Sequence, residues 1–414
     1  MAKQIVPVVT TTGTGSTTDI TYSGLGASTN IDGAIIWITG CTAEDTDTSD
    51  IQLSTTYYDG TDLVNHCFSD QDASENTVVS EGRRSDKVGI MQVGAQAFES
   101  LGTLSKIEDG VRITWDSGLE PQSSWKVQAV LFAGGIDVKV DIVQLNTTVD
   151  GSTDMTVSSA PDIVFVMWGY IGIPTSIPSV NSDTINHQMG VCVNDGSLTQ
   201  HSVMSFSDGG RISGQYESRV QSDLIRYSTT NAKQVEVTGI SSSAVTFTNR
   251  NSTANCLMGV MAIGGLADVA LSIGDTDFDT DTSGSQSITG VGFQPDFAMT
   301  CRERATNLDT EYTNLNQEFK IGICDDTDES CFSTFGDDGS AQSDVHQRFS
   351  AGKFLDSYQG EGEAIQGTFT SFDTGGMTLN VSSAGVSNGW ILMIQTEAGG
   401  PPATDDSVPW MSMM

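Results

Sequence analysis

Three times along the chain an apolar stretch closes on a glycine pair: WKVQAVLFAGG at 125–135, LMGVMAIGG at 257–265 and GWILMIQTEAGG at 389–400. The pairs recur about every 130 residues, and each is preceded by a strand, a polar turn and another strand. No other feature constrains the fold as strongly. A period this long can enclose its own core, unlike the 20–50-residue repeats that only stack on their neighbours. The repeat therefore predicts three tandem units, 1–135, 136–265 and 266–400, with a short extended tail at 401–414.

The texture within each unit is all-β. Short runs rich in Val, Ile and Thr alternate with Gly/Asp/Asn/Ser clusters, and helical periodicity is nearly absent. A middle element also repeats. MGVCVNDGSLTQHSVMSFSD (189–208) parallels IGICDDTDESCFSTFGDD (321–338), with IQLSTTYYDGTDLVNHCFSD (51–70) a looser match; each reads as a hairpin around an Asp/Asn turn. Each unit opens its first core strand similarly, at Ile31-Asp32, Pro161-Asp162 and Pro295-Asp296. Proline at a strand's first residue costs no ladder hydrogen bond, and the aspartate is placed to bond local backbone. Roughly seven to nine short strands per unit suit a β-sandwich or jelly roll.

Charge narrows the partners. Asp and Glu number 53 against 18 Lys and Arg, a formal net charge of −35. Such a surface repels phosphate backbones and anionic lipid, so neither nucleic acid nor membrane insertion is expected. The longest apolar run, PDIVFVMWGYIGIP at 161–174, is too short for a membrane helix and fits a buried strand with its turn. QIVPVVTTTG, after Lys3, is too polar for a secretory signal. The seven cysteines form no CxxC pair and read as buried, reduced thiols, as cytosolic assembly requires.

Candidate sites are few. Asp116-Ser117-Gly118 and Asp373-Thr374-Gly375 resemble aspartic protease triplets, but such a dyad needs two facing carboxylates. Here they read as equivalent turns of the first and third units. Asp275, Asp277, Asp279 and Asp281 alternate in DTDFDTDTSG and share one face of an extended strand. They are the candidate ligands for a Ca²⁺ ion, although Thr280 stands where an EF-hand loop needs Gly, and a solvated acidic edge is the reading preferred. The histidines, His66, His187, His201 and His346, are scattered, and no GxSxG elbow or phosphate loop occurs. Tyr57-Tyr58, Trp125 and Trp168/Tyr170 are candidates for a sugar platform but sit in apolar strands, as core residues do. In the tail, Trp410, Met411, Met413 and Met414 form an apolar tip suited to docking on a partner subunit.

The stretch ITGVGFQPDFAM (288–299), followed by an Asp/Asn-rich hairpin and closed by an apolar strand with Gly-Gly, resembles β-sandwich repeats in structural proteins of tailed bacteriophages. The likeness is best in the third unit. The second has only SAPDIVF (159–165), and the first lacks the motif. The resemblance implies jelly-roll or concanavalin-like modules and a non-enzymatic virion protein, assembled in the host cytoplasm, as capsid decoration or tail-fibre component. It also implies other virion proteins as partners, a homo-oligomer such as a trimer, and no catalytic residue or resident cofactor. The alternative is an adhesin that binds a host glycan.

Overall fold

The computed structural model describes residues 4–73, 79–168, 179–181, 184–208, 216–227, 233–251, 257–273, 282–305, 309–312, 316–337, 344–357, 365–385 and 387–396. Among them the chain is all-β, with every strand pair antiparallel. Eleven described strands fall in each of the three sequence units, more than the sequence predicts. They form three seven-stranded and three four-stranded sheets.

The first seven-stranded sheet runs Ile5–Thr11, Lys126–Ala133, Ile31–Thr39, Ile51–Tyr58, Leu63–Asp70, Val79–Arg84 and Ser179–Asn181. The last strand comes from the second unit. The second unit's sheet is likewise completed by Thr310–Tyr312 of the third, and the third unit's by Thr46–Ser49 of the first. The donation is therefore cyclic and returns to its start after three steps. Sequence analysis expects tandem units that each close alone; in the structure no seven-stranded sheet is completed by its own unit.

Burial explains the two strand textures. The seven-stranded sheets are covered on both faces, so Ile51–Tyr58 and Leu63–Asp70 are buried at every position and read as continuous runs. The four-stranded sheets lie outside with one face wet, so Thr17–Thr21 alternates exposed and buried. One face of each large sheet packs on its small partner, giving separate clusters such as Ile36, Val111, Ile113 and Val127. The other faces meet in one shared core that joins Trp37 and Tyr57 of the first unit, Phe165 of the second, and Phe319, Phe332 and Trp390 of the third. Rings touch across the seams: Trp37 and Phe332 at 6.4 Å, Tyr57 and Phe165 at 6.5 Å, Phe165 and Trp390 at 6.4 Å.

The repeated aspartates act at longer range than the local contact expected. Asp32 Oδ2 accepts the backbone N–H of Gly135 (2.8 Å) and Ile136 (2.9 Å). Asp162 Oδ2 accepts that of Leu266 at 2.9 Å, and Asp296 Oδ2 that of Thr396 at 3.0 Å. Each hooks the segment that leaves its unit. Gly134 and Gly135 stand there at φ 82° and 96°, a region open to glycine, so the chain turns between Ala133 and Asp137 without strain.

Candidate functional site

The seams carry the polar chemistry. Between the first and second units, Lys139 Nζ reaches Asp59 Oδ2 (3.3 Å) and Asp62 Oδ2 (3.1 Å), while Val140 N–H donates to Asp59 at 3.0 Å. Between the third and first, Arg348 Nη1 holds Asp47 (3.1 Å) and Nε holds Asp356 (2.7 Å). Gln347 Oε1 accepts the backbone N–H of Gly40 at 3.1 Å. These contacts clamp the donated strand Thr46–Ser49. At the third seam Ser222 Oγ donates to Asp309 Oδ2 at 2.9 Å.

Where the three inner faces converge, burial brings titratable groups together. His66 and His187, 121 positions apart, stack with ring centroids 5.3 Å apart and 6° between planes. Their Nδ1 atoms are 3.2 Å apart. His66 Nε2 lies 2.7 Å from Glu81 Oε1, Arg83 Nη1 crosses to the carbonyl of Leu257 at 3.1 Å, and Phe319 meets His187 edge-on at 4.7 Å. Burial holds both imidazoles well below their ordinary pKa, and Arg83 adds to this at His66. The same desolvation pushes Glu81 up to about 8 against the pull of Arg83. His201 is pushed down to about 4, and Glu303, which accepts the Glu318 N–H, up to about 8. No sequence spacing announces this cluster, because its members come from different strands and units.

The remaining candidates separate. Asp275, Asp277, Asp279 and Asp281, and Trp410, Met411, Met413 and Met414, all lie outside the described residues. The protease-like triplets are not equivalent turns, which corrects the sequence expectation. Asp116–Gly118 follows the strand Gly110–Trp115, whereas Asp373–Gly375 precedes its counterpart Gly376–Ser383. Asp116 pairs with Lys87, and Asp373 accepts bonds from Ser371 (2.9 Å) and Thr378 (2.6 Å), each in its own unit. Tyr57, Tyr58 and Trp125 are core residues, at most 3% exposed. The six described cysteines are all buried.

One metal-ligating group converges among the described residues: atoms of Asp72, Asp344 and His346 lie within 4.8 Å of one another across the seam of the first and third units. The donor set suits a divalent cation, but His346 Nε2 is already 2.5 Å from Asp344 Oδ1, so a hydrogen bond accounts for the geometry. The opening motif of the third unit lines a groove of about 480 Å³, with Gln294, Asp326, Gln395, Phe369 and Phe372 on its walls. The two phenyl rings sit 4.5 Å apart, and Gln294 Nε2 pins the Phe372 carbonyl at 3.0 Å. Compared with protein-family models, curated proteins and solved structures, the chain matches none of them.

Proposed function

We propose that the chain is a non-enzymatic structural component of a tailed-bacteriophage particle, mounted on its exterior as capsid decoration or as part of the tail or its fibres. In this reading the three sheet pairs are three tandem β-sandwiches fused into one trimer-like block. The observation that carries it is the cyclic strand exchange. Three like units joined head to tail and closed on themselves present three similar faces, so one chain can fill a position that a homotrimer otherwise fills. Fusion makes that assembly intramolecular and independent of concentration. Glu81 and Glu303, both pushed up to about 8, are fully buried, and in this reading they serve packing and not substrate. A net charge of −35 keeps such blocks apart in solution, so docking works through shape and apolar contact. The tail 401–414 is the docking arm in this proposal.

Mass spectrometry of purified particles with copy-number determination tests the reading. Hundreds of copies per particle place the protein on the capsid, and a few place it on the tail. Its absence from particles overturns the proposal.

The adhesin reading is favoured by the groove in the third unit. A pair of phenyl rings flanked by side-chain amides and a carboxylate is chemistry that recognises a sugar ring and its hydroxyls. Retention on a glycan array that is lost in Phe369→Ala and Phe372→Ala supports it. No retention on any glycan removes it.

A further inference from the structure

The stacked histidines join two units at the point where all three meet, and their surroundings define what a proton does there. His66 comes from Leu63–Asp70 of the first unit and His187 from Thr184–Asn194 of the second, each 2% exposed. The neighbouring strand Val79–Arg84 presents Glu81 and Arg83 to His66. From the third unit, Gln317–Asp325 presents Phe319, while its Glu318 and Lys320 pair with each other at 2.8 Å. From Leu198–Asp208, Ser205 stands opposite His187 and His201 lies further along the strand. From Ile51–Tyr58, Thr55 stands opposite His66. Glu81 Oε2 and His187 Nε2 have no hydrogen-bond partner among the described residues. Among the described residues, the fixed charge acting on His66 is the Arg83 guanidinium, which is itself positive.

The hydrogen bonds close for neutral groups in the following assignment of protons. A protonated Glu81 donates to His66 Nε2. His66 then carries its own proton on Nδ1 and donates it to His187 Nδ1, which leaves the His187 proton on Nε2. A second proton on His187 must occupy Nδ1, where it meets the His66 N–H at 3.2 Å. Donor then faces donor, next to Arg83 and inside a low-dielectric core.

We propose that the His66–His187 pair is an acid-sensitive latch, which holds the first and second units together while both rings are neutral and releases that seam when they are protonated. The proton balance sets the steepness. Opening exposes two imidazoles that take up protons below their ordinary value of 6.5, and it exposes Glu81, which loses one down to its ordinary 4.5. Two protons enter and one leaves, so between those limits the opening equilibrium rises about tenfold per pH unit. Glu81→Gln keeps a donor for His66 but gives up no proton, and the rise becomes about 100-fold per pH unit. His187→Gln removes one uptake, and the response becomes flat.

The experiment is hydrogen exchange on the full chain from pH 7 to 4.5, corrected for intrinsic exchange and read over Leu63–Asp70 and Thr184–Asn194. The expected order of steepness is Glu81→Gln, then wild type, then His187→Gln. Equal slopes in all three overturn the latch. If a variant does not fold, imidazole NMR of the wild-type chain decides. Neutral signals that persist below pH 6 and are then replaced cooperatively support it, whereas gradual titration near 6.5 in the intact block overturns it.

Discussion

Arg348→Ala attacks the clamp on the donated strand that closes the ring. The side chain is 8% exposed and holds Asp356, 1% exposed, through Nε at 2.7 Å, together with Asp47 of the donated strand at 3.1 Å. Removing one partner of a buried ion pair costs about 3–5 kcal/mol, because the other charge is left behind. Two facts reduce this. Lys353 Nζ stays 3.3 Å from Asp356, and Gln366 still donates to it at 3.0 Å. Asp47 and Asp45 are 28% and 52% exposed and recover solvent, so their share is at most about 1 kcal/mol. The expected net loss is about 2–3 kcal/mol, a factor of roughly 30–150 in the local opening equilibrium. Hydrogen exchange measured by mass spectrometry reads it directly. Protection at Thr46–Ser49 and Val345–Ala351 should fall by that factor, while Ser179–Asn181, the equivalent donated strand at another seam, should not change. A uniform loss over all three donated strands would mean that Arg348 supports the whole fold and not this seam. No loss at Thr46–Ser49 would refute the claim that the ion pairs hold it.

Three further outcomes follow from the packing. Gly322→Ala places a Cβ 1.9 Å from the Phe354 carbonyl oxygen, a backbone atom that cannot step aside, so denaturant unfolding should show a loss of about 1–3 kcal/mol or more. Asp162→Ala removes the acceptor for the Leu266 N–H and should cost about 1 kcal/mol, with faster limited proteolysis near Gly265 as the readout. Glu303→Gln should stabilise at high pH. The folded pKa is raised from 4.5 to about 8, so the wild-type contribution is complete below 4.5 and lost as pH rises through 8. The variant's advantage in thermal melts should therefore grow above 4.5 and level off above 8.

Much of this architecture is legible in the sequence, and the limits have physical causes. The hairpins around Asp59, Asp195 and Asp325–Asp328 announce themselves through turn chemistry, and the first two glycine pairs mark where a strand ends and the chain turns. The donated strands do not. TDTS, SVN and TEY are too short to show a period, and their pairing energy comes from a distant partner sheet in another unit. Continuous apolar runs such as AIIWI report burial on both faces but not what covers each face. The triplet Asp116-Ser117-Gly118 misleads because a turn motif carries no register; only strand pairing shows which end of the strand it caps. His66 and His187 are invisible as a pair because each sits in its own strand, 121 positions from the other, with nothing local to mark it.

The cyclic donation also sets a timetable for synthesis. The edge strand Val79–Arg84 waits for Ser179–Asn181, about 100 residues later, and Tyr216–Gln221 waits for Thr310–Tyr312. The third unit waits for nothing, since Thr46–Ser49 was made about 300 residues earlier than its partners. That early strand is the one at risk. At ordinary translation rates it has no ladder to join for on the order of tens of seconds. The ladder that closes the ring thus pairs residues made early with residues made about 300 positions later, and a chain interrupted before Val345–Ala351 is left with an open ring.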